Sequence, residues 1–185
     1  MTEVFKDVEP NSWSTPAIQY VYSNGIMTGI SETEFDPEGI MNRGMLITVI
    51  WEMEGQPAAA GAAPFKDLTE DYYKVAAAWG HENGIILGYS NTQYGPEDPV
   101  TREQLCAILF RYAQFKGRDT SARGDLSKFA DASKVEPYAQ NAVAWAVGAG
   151  LIQGSNDYGK LNLNPKDEAT REMVAAVLYR YSTSG

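Results

Sequence analysis

Gly84-Ile85-Ile86-Leu87-Gly88, followed by Tyr94-Gly95-Pro96-Glu97 and then Thr101-Arg102-Glu103-Gln104, decides the fold, because it is the middle copy of a passage written three times. The first copy reads Gly25-Ile26-Met27-Thr28-Gly29, Phe35-Asp36-Pro37-Glu38 and Asn42-Arg43-Gly44. The third reads Gly150-Leu151-Ile152-Gln153-Gly154, Leu163-Asn164-Pro165-Lys166 and Thr170-Arg171-Glu172. Each is introduced by a Phe-x-Asp step: Phe5-Lys6-Asp7, Phe65-Lys66-Asp67 and Phe129-Ala130-Asp131. The repeats are residues 1–57, 58–118 and 119–185. A two-helix unit of that size cannot bury an apolar face alone, so the three are expected to form one cooperative body.

Ahead of each glycine passage the apolar residues fall at helical spacing: Ala17, Ile18, Val21, Tyr22; Val75, Ala76, Trp79; Ala142, Val143, Ala146, Val147. Gly25, Gly84 and Gly150 are placed to end those helices in the left-handed conformation. A second helix follows each arginine, through Met45 to Met53, Leu105 to Tyr112 and Met173 to Tyr181. Runs alternating with period two are almost absent. The fold class is therefore all-α, three helix-loop-helix repeats. The segments from Glu54 to Pro64 and from Lys116 to Lys128 lack apolar periodicity and are expected to be exposed and mobile.

The 185 residues carry 15 Lys+Arg against 24 Asp+Glu, a net charge of −9, with no basic run, which argues against nucleic acid as a partner. At 44% hydrophobic and 21% charged the chain is globular in composition, and no apolar stretch is long enough for membrane insertion. No leader pattern is read in Met1 to Asp7. The single cysteine, Cys106, excludes an internal disulfide and a cysteine-based zinc site, and its apolar neighbours mark it as a buried small residue. No metal site and no cofactor motif is read. Enzyme chemistry finds no foothold: the one histidine, His81, lacks a nucleophile pattern nearby, and the acid pair Glu97/Asp98 lies in a turn.

The arginines break a local rule three times. Asn42, Thr101 and Thr170 are placed as N-caps, and Thr101 with Gln104 fits the capping box, so Arg43, Arg102 and Arg171 stand at the first helical position. The helix dipole favours an acid there. An arginine fork beside unpaired helix N–H groups makes an anion site instead. Candidate partners are the aromatics Tyr20, Trp79 and Trp145, five residues before each capping glycine, and the aspartates Asp7, Asp67 and Asp131. A flat ring suits the apolar face of a sugar, and a carboxylate accepts its hydroxyls. Trp13 and Tyr73 share one offset from the Phe-x-Asp phenylalanine. Gly44, beside Arg43, is expected to leave that arginine the least pre-organised of the three.

The ordered set of Phe-x-Asp, a helix ending in Gly-Ile-x-x-Gly, a proline turn and a Thr-Arg-Glu type arginine, in triplicate from Val4 to Tyr181, resembles the surface layer homology (SLH) domain. The resemblance implies a pseudo-threefold trimer of repeats with a central helical bundle and projecting prongs. It also implies a secreted, non-catalytic carbohydrate-binding module that anchors proteins in the cell wall at the bacterial surface. The implied partner is an acidic glycan, a pyruvylated secondary cell wall polymer, held in grooves between repeats. The family's Thr-Arg-Ala-Glu arginine, which meets the acidic ketal, corresponds to Arg43, Arg102 and Arg171. Here the motif departs to Asn42-Arg43-Gly44 in the first repeat, and Gln104 and Met173 stand where the family often has glutamate. The competing reading is a helical scaffold for proteins, whose units would be shorter and stack openly.

Overall fold

The structure is a computed structural model that describes residues 4–184. Six helices form where the periodicity places them: α1 Thr15–Ser23, α2 Arg43–Met53, α3 Asp71–Glu82, α4 Arg102–Phe115, α5 Gln140–Gly148 and α6 Arg171–Thr183. The even-numbered helices start on side-chain caps, Asn42, Thr101 and Thr170 accepting from the backbone N–H of Met45, Gln104 and Met173. Thr101 and Gln104 complete the reciprocal box. The odd-numbered helices end at Gly25, Gly84 and Gly150, all at positive φ.

Between the two helices of each repeat, the motif residues hold a loop together. The phenylalanine ring lies on the second glycine: a Cβ at Gly29, Gly88 or Gly154 would meet Phe5, Phe65 or Phe129 at 2.5, 2.4 and 2.6 Å. The aspartate two residues on receives the backbone N–H groups that enter the proline turn. Asp7 accepts from Phe35 and Asp36, Asp67 from Tyr94 and Gly95, and Asp131 from Leu163 and Asn164. The second residue of each pair (Asp36, Gly95, Asn164) is left-handed, a conformation that Gly, Asn and Asp tolerate best.

One strand pair departs from the all-α expectation. In the third repeat residues 155–162 stand where the second has only residues 89–93, and the longer segment folds as a hairpin, β1 Ser155–Asp157 with β2 Lys160–Asn162. Its two-residue tip, Tyr158-Gly159, has both φ angles positive, as the favoured tight hairpin turn requires.

The helices pair across repeats. α2 packs on α3, α4 on α5 and α6 on α1, so the last helix of the chain closes against the first. Three short segments just before the even-numbered helices close a matching ring: Met41 N–H donates to Ala169, Ala169 to Val100 and Val100 to Met41, at 3.0, 2.8 and 2.9 Å. One continuous apolar cluster runs through all three repeats, from Phe5 to Tyr181.

The two linkers are docked, contrary to the mobile segments expected. Trp51 Nε1 donates to Pro57 O at 2.8 Å, Ala60 N–H meets the Glu82 carboxylate, and Ala59 and Ala63 pack on the core. Gly124 N–H donates to Ala144 O at 2.7 Å, an approach that a side chain on Gly124 or Gly148 would block. Small residues here let the backbone lie against a helix, a packing that leaves no periodic signal. Cys106 is buried, which pushes its thiol up to about 12. Among the described residues no helix is long and apolar enough to cross a membrane.

Candidate functional site

Each motif arginine reaches out of its own repeat into the loop of the next. Arg43 Nε donates to Tyr94 O at 2.9 Å and Nη2 to Leu87 O; Arg102 Nε donates to Leu163 O at 2.8 Å; Arg171 Nε donates to Phe35 O at 2.7 Å and Nη2 to Thr28 O. The helix N-terminus docks with it. The arginine N–H groups donate to Asp98, Asp167 and Gly39, and those of Gly44, Glu103 and Glu172 to Pro96, Pro165 and Pro37. The N–H groups that could have joined the arginine in holding an anion are thus spent on the neighbouring loop. What remains for a ligand is the guanidinium edge.

No carboxylate takes that edge. Among the described residues every ion pair uses a lysine, and none contains Arg43, Arg102 or Arg171. Burial lowers the pKa of Arg102 and Arg171, since charge held in a dry setting without a counter-ion is disfavoured. The position that the resemblance assigns to a glutamate is filled instead by Met173, whose sulfur accepts from Arg102 Nη1 at 3.0 Å and brings no charge.

Asn42, Thr101 and Thr170 serve as helix caps, with their side-chain oxygens occupied. Asp7, Asp67 and Asp131 lie behind the loops with their carboxylates on backbone donors, the turn role, which leaves them poorly placed for sugar hydroxyls. Trp79 and Trp145 are 4% and 3% exposed, each turned onto a ring of α4, Phe115 and Phe110. They are core, with no face for a sugar. Tyr20 is half-buried against Tyr179. His81 stands edge-on to Phe65 at the core margin.

The exposed rings are another set. Seven residues ahead of Tyr20, Trp79 and Trp145 stand Trp13, Tyr72 and Tyr138, 61%, 47% and 55% exposed. Counting from the capping glycine rather than from Phe-x-Asp brings these into register, because the loop before each first helix varies in structure while the helix does not. Tyr73, which the other count matched with Trp13, is buried. Its ring lies on Gly44, where a Cβ would meet it at 2.7 Å, and its hydroxyl donates to Glu97 at 2.9 Å. Gly44 is therefore not a point of backbone freedom: it is buried, hydrogen-bonded to Pro96, and small so that Tyr73 fits.

The grooves between repeats differ. Arg102, Trp13, Gln153, Ser155, Met173 and Arg180 line an open cavity of about 280 Å³. Arg43 is 5% exposed, its guanidinium 4.5 Å from the ring centres of both Tyr89 and Tyr94. Tyr89 would have to move before a ligand reached it. Arg171 is half-buried, 4.7 Å over Phe35. Among the described residues no cluster of three or more metal-ligating side chains occurs.

The family model for the S-layer homology domain matches residues 4–44, 64–106 and 128–172. An endoglucanase of Bacillus sp. (strain KSM-635) is 32% identical over 94% of the chain and 18% of that protein. A surface-layer 125 kDa protein of Lysinibacillus sphaericus is 35% identical over 92% and 14%. An S-layer protein of Bacillus thuringiensis subsp. finitimus is 26% identical over 69% and 15%. The chain thus spans less than a fifth of each of these relatives. The three family matches each cover a first helix and its loop and end within the first turns of the arginine-headed helix: the chain belongs to the S-layer homology domain family, in three tandem copies.

Proposed function

We propose that the chain is a non-catalytic anchoring module that fixes an exported protein to the bacterial cell wall by binding an acidic secondary wall polysaccharide, pyruvylated, in the grooves between repeats. The observation that carries this is the set of motif guanidinium groups, each fixed by neutral carbonyls and none met by a carboxylate. A carboxylate-bearing sugar supplies the missing charge. The cross-repeat helix pairs and the hydrogen-bonded ring support a pseudo-threefold body with a central helical bundle and three projecting loops. The principal seat is the Arg102 groove, where Arg102 and Arg180 offer charge and Trp13 offers a sugar-stacking face beside an open cavity. Relatives named as an endoglucanase and as a surface-layer protein share this segment as less than a fifth of their length, which fits an anchor carried by varied cargo. Catalysis belongs to no residue here.

The test is sedimentation with purified Gram-positive walls, intact or extracted to remove the secondary polymer. Binding is expected on intact walls only, with Arg102→Ala weakening it about tenfold or more, the range for losing one charge-assisted contact. Equal retention on extracted walls refutes the glycan reading and favours the protein scaffold.

A further inference from the structure

Two loop positions that recur in every repeat carry a matched pair of residues in one of them. After the second motif glycine stand Ile30, Tyr89 and Ser155, and at the left-handed position of the proline turn stand Asp36, Gly95 and Asn164. The second repeat alone joins an aromatic ring at the first position to a glycine at the second. The two meet: a Cβ on Gly95 would collide with the Tyr89 ring. Bare backbone at Gly95 lets the ring settle against the loop, where its centre stands 4.5 Å from the Arg43 guanidinium. In the Arg102 groove the corresponding place is held by Ser155, and the cavity there is open.

Arg43 is fixed by groups that cannot move and covered by one that can. Its Nε and Nη2 donate to Tyr94 O and Leu87 O, and Tyr94, the other ring near the guanidinium, is fully buried with its hydroxyl donating to Arg43 O. Tyr89 differs. It is 54% exposed while Arg43 is 5% exposed, so turning the ring away uncovers the cation without opening a void in the core. The ring and an incoming anion compete for one guanidinium, and a site open for only part of the time binds with an affinity reduced by that fraction.

Resting on the wall-glycan reading, we propose that Tyr89 is a gate on the Arg43 groove: its ring occupies the guanidinium until an acidic sugar displaces it, so this groove fills after the Arg102 groove. The chain then holds a strong and a weak seat for the same acidic sugar. The difference is set by the Tyr89/Gly95 pair and not by the motif arginine, which both grooves share.

The probe is a methyl hexoside carrying a pyruvate ketal, titrated into the labelled full chain. The backbone amides of Leu87 and Gly88 (Arg43 groove) and of Gly154 and Ser155 (Arg102 groove) are followed by NMR. In the parent, Gly154 and Ser155 are expected to respond at about tenfold lower probe concentration than Leu87 and Gly88, the weight of one partly desolvated cation–ring contact. Two variants open the gate by different routes. Tyr89→Ser removes the ring, and Gly95→Asn displaces it with a residue that tolerates the left-handed conformation, as Asn164 does at the corresponding position. In both, the response of Leu87 and Gly88 should tighten about tenfold while that of Gly154 and Ser155 stays as in the parent. Tyr89→Phe keeps the ring and should titrate as the parent does. A loop merely loosened by substitution would bind more weakly at Arg43, so a gain there is specific to the gate. Equal affinity of the two grooves in the parent, or a parent-like response at Leu87 and Gly88 in both opening variants, overturns the gate and leaves the wall-glycan reading intact. Failure of the probe to shift any of the four amides in the parent and in both opening variants overturns both proposals.

Discussion

Replacing Asp131 separates the two roles that its motif allows, a ligand for sugar hydroxyls and a clamp on the loop. Its carboxylate accepts from Leu163 N–H at 2.7 Å and Asn164 N–H at 2.8 Å, and the residue is buried. Asp131→Ala leaves the first donor unmatched in a buried place, while the second, half-exposed, regains water. A hydrogen bond to a charged group contributes about 1.5–3 kcal/mol, so the loss is about 3 kcal/mol. For a chain of this length each kcal/mol moves the midpoint by about 2–4 °C, giving a fall of about 6–12 °C. Leu163 also supplies the carbonyl that holds Arg102 Nε, so loosening this loop should weaken wall binding as well. Asp67→Ala and Asp7→Ala should cost progressively less, because those carboxylates are half-buried and exposed. The assays are thermal unfolding by circular dichroism and wall sedimentation well below the midpoint. If Asp131→Ala keeps its parent midpoint and loses wall binding, the carboxylate is a ligand group and the clamp argument fails.

Trp79→Ala and Trp145→Ala should each destabilise by about 3–5 kcal/mol, read from urea melts, whereas Trp13→Ala should leave the melt unchanged and weaken binding to intact walls. Deleting α6 strips the partner from Ile18 and Val21 on α1, so residues 1–170 should show no cooperative thermal transition, and a sharp one would count against the shared core. Burial raises the pKa of Glu54, but its hydrogen bonds from Lys116 and Tyr112 outweigh this and hold it below the usual value. Its contribution is therefore present above the ordinary carboxylate pKa and lost as pH falls through the lowered one. Urea melts from pH 7 down to pH 3 should show parent and Glu54→Gln converging at acid pH, by about 1 kcal/mol or less because the group is partly solvated.

What was legible in the sequence is what repeats with a period. The six helices, the caps Asn42, Thr101 and Thr170 and the left-handed glycines each have a local cause within four or five residues, so the sequence alone locates them. The arginines were legible because they violate a local rule, and the structure shows the rule overridden by carbonyls from the next repeat. The buried tryptophans were misread as sugar platforms because a helix shows its apolar face without saying what covers it. The cover here comes from another helix, α4, which supplies Phe115 to Trp79 within one repeat and Phe110 to Trp145 across a repeat boundary. Trp13, Tyr72 and Tyr138 were missed for a related reason: register holds along a helix and slips across a loop, so the frame of counting must start from the capping glycine.

The same slippage explains why sequence repeats and packing units do not coincide. A repeat runs first helix, loop, second helix, yet the strong helix contacts join the second helix of one repeat to the first of the next. The arginine crosses the same boundary, fastening its helix to the loop of the following repeat, and Arg171 completes the circuit by returning to Thr28 and Phe35 near the start of the chain. No repeat owns a groove. The Arg102 groove takes its arginine from one repeat, its loop and second helix from the next and its exposed ring from the one after, as Arg102, Ser155 with Arg180, and Trp13 show. A substitution in one repeat therefore acts on the groove its residue lines rather than on a site internal to that repeat, as Trp13 in the first repeat bears on Arg102 in the second.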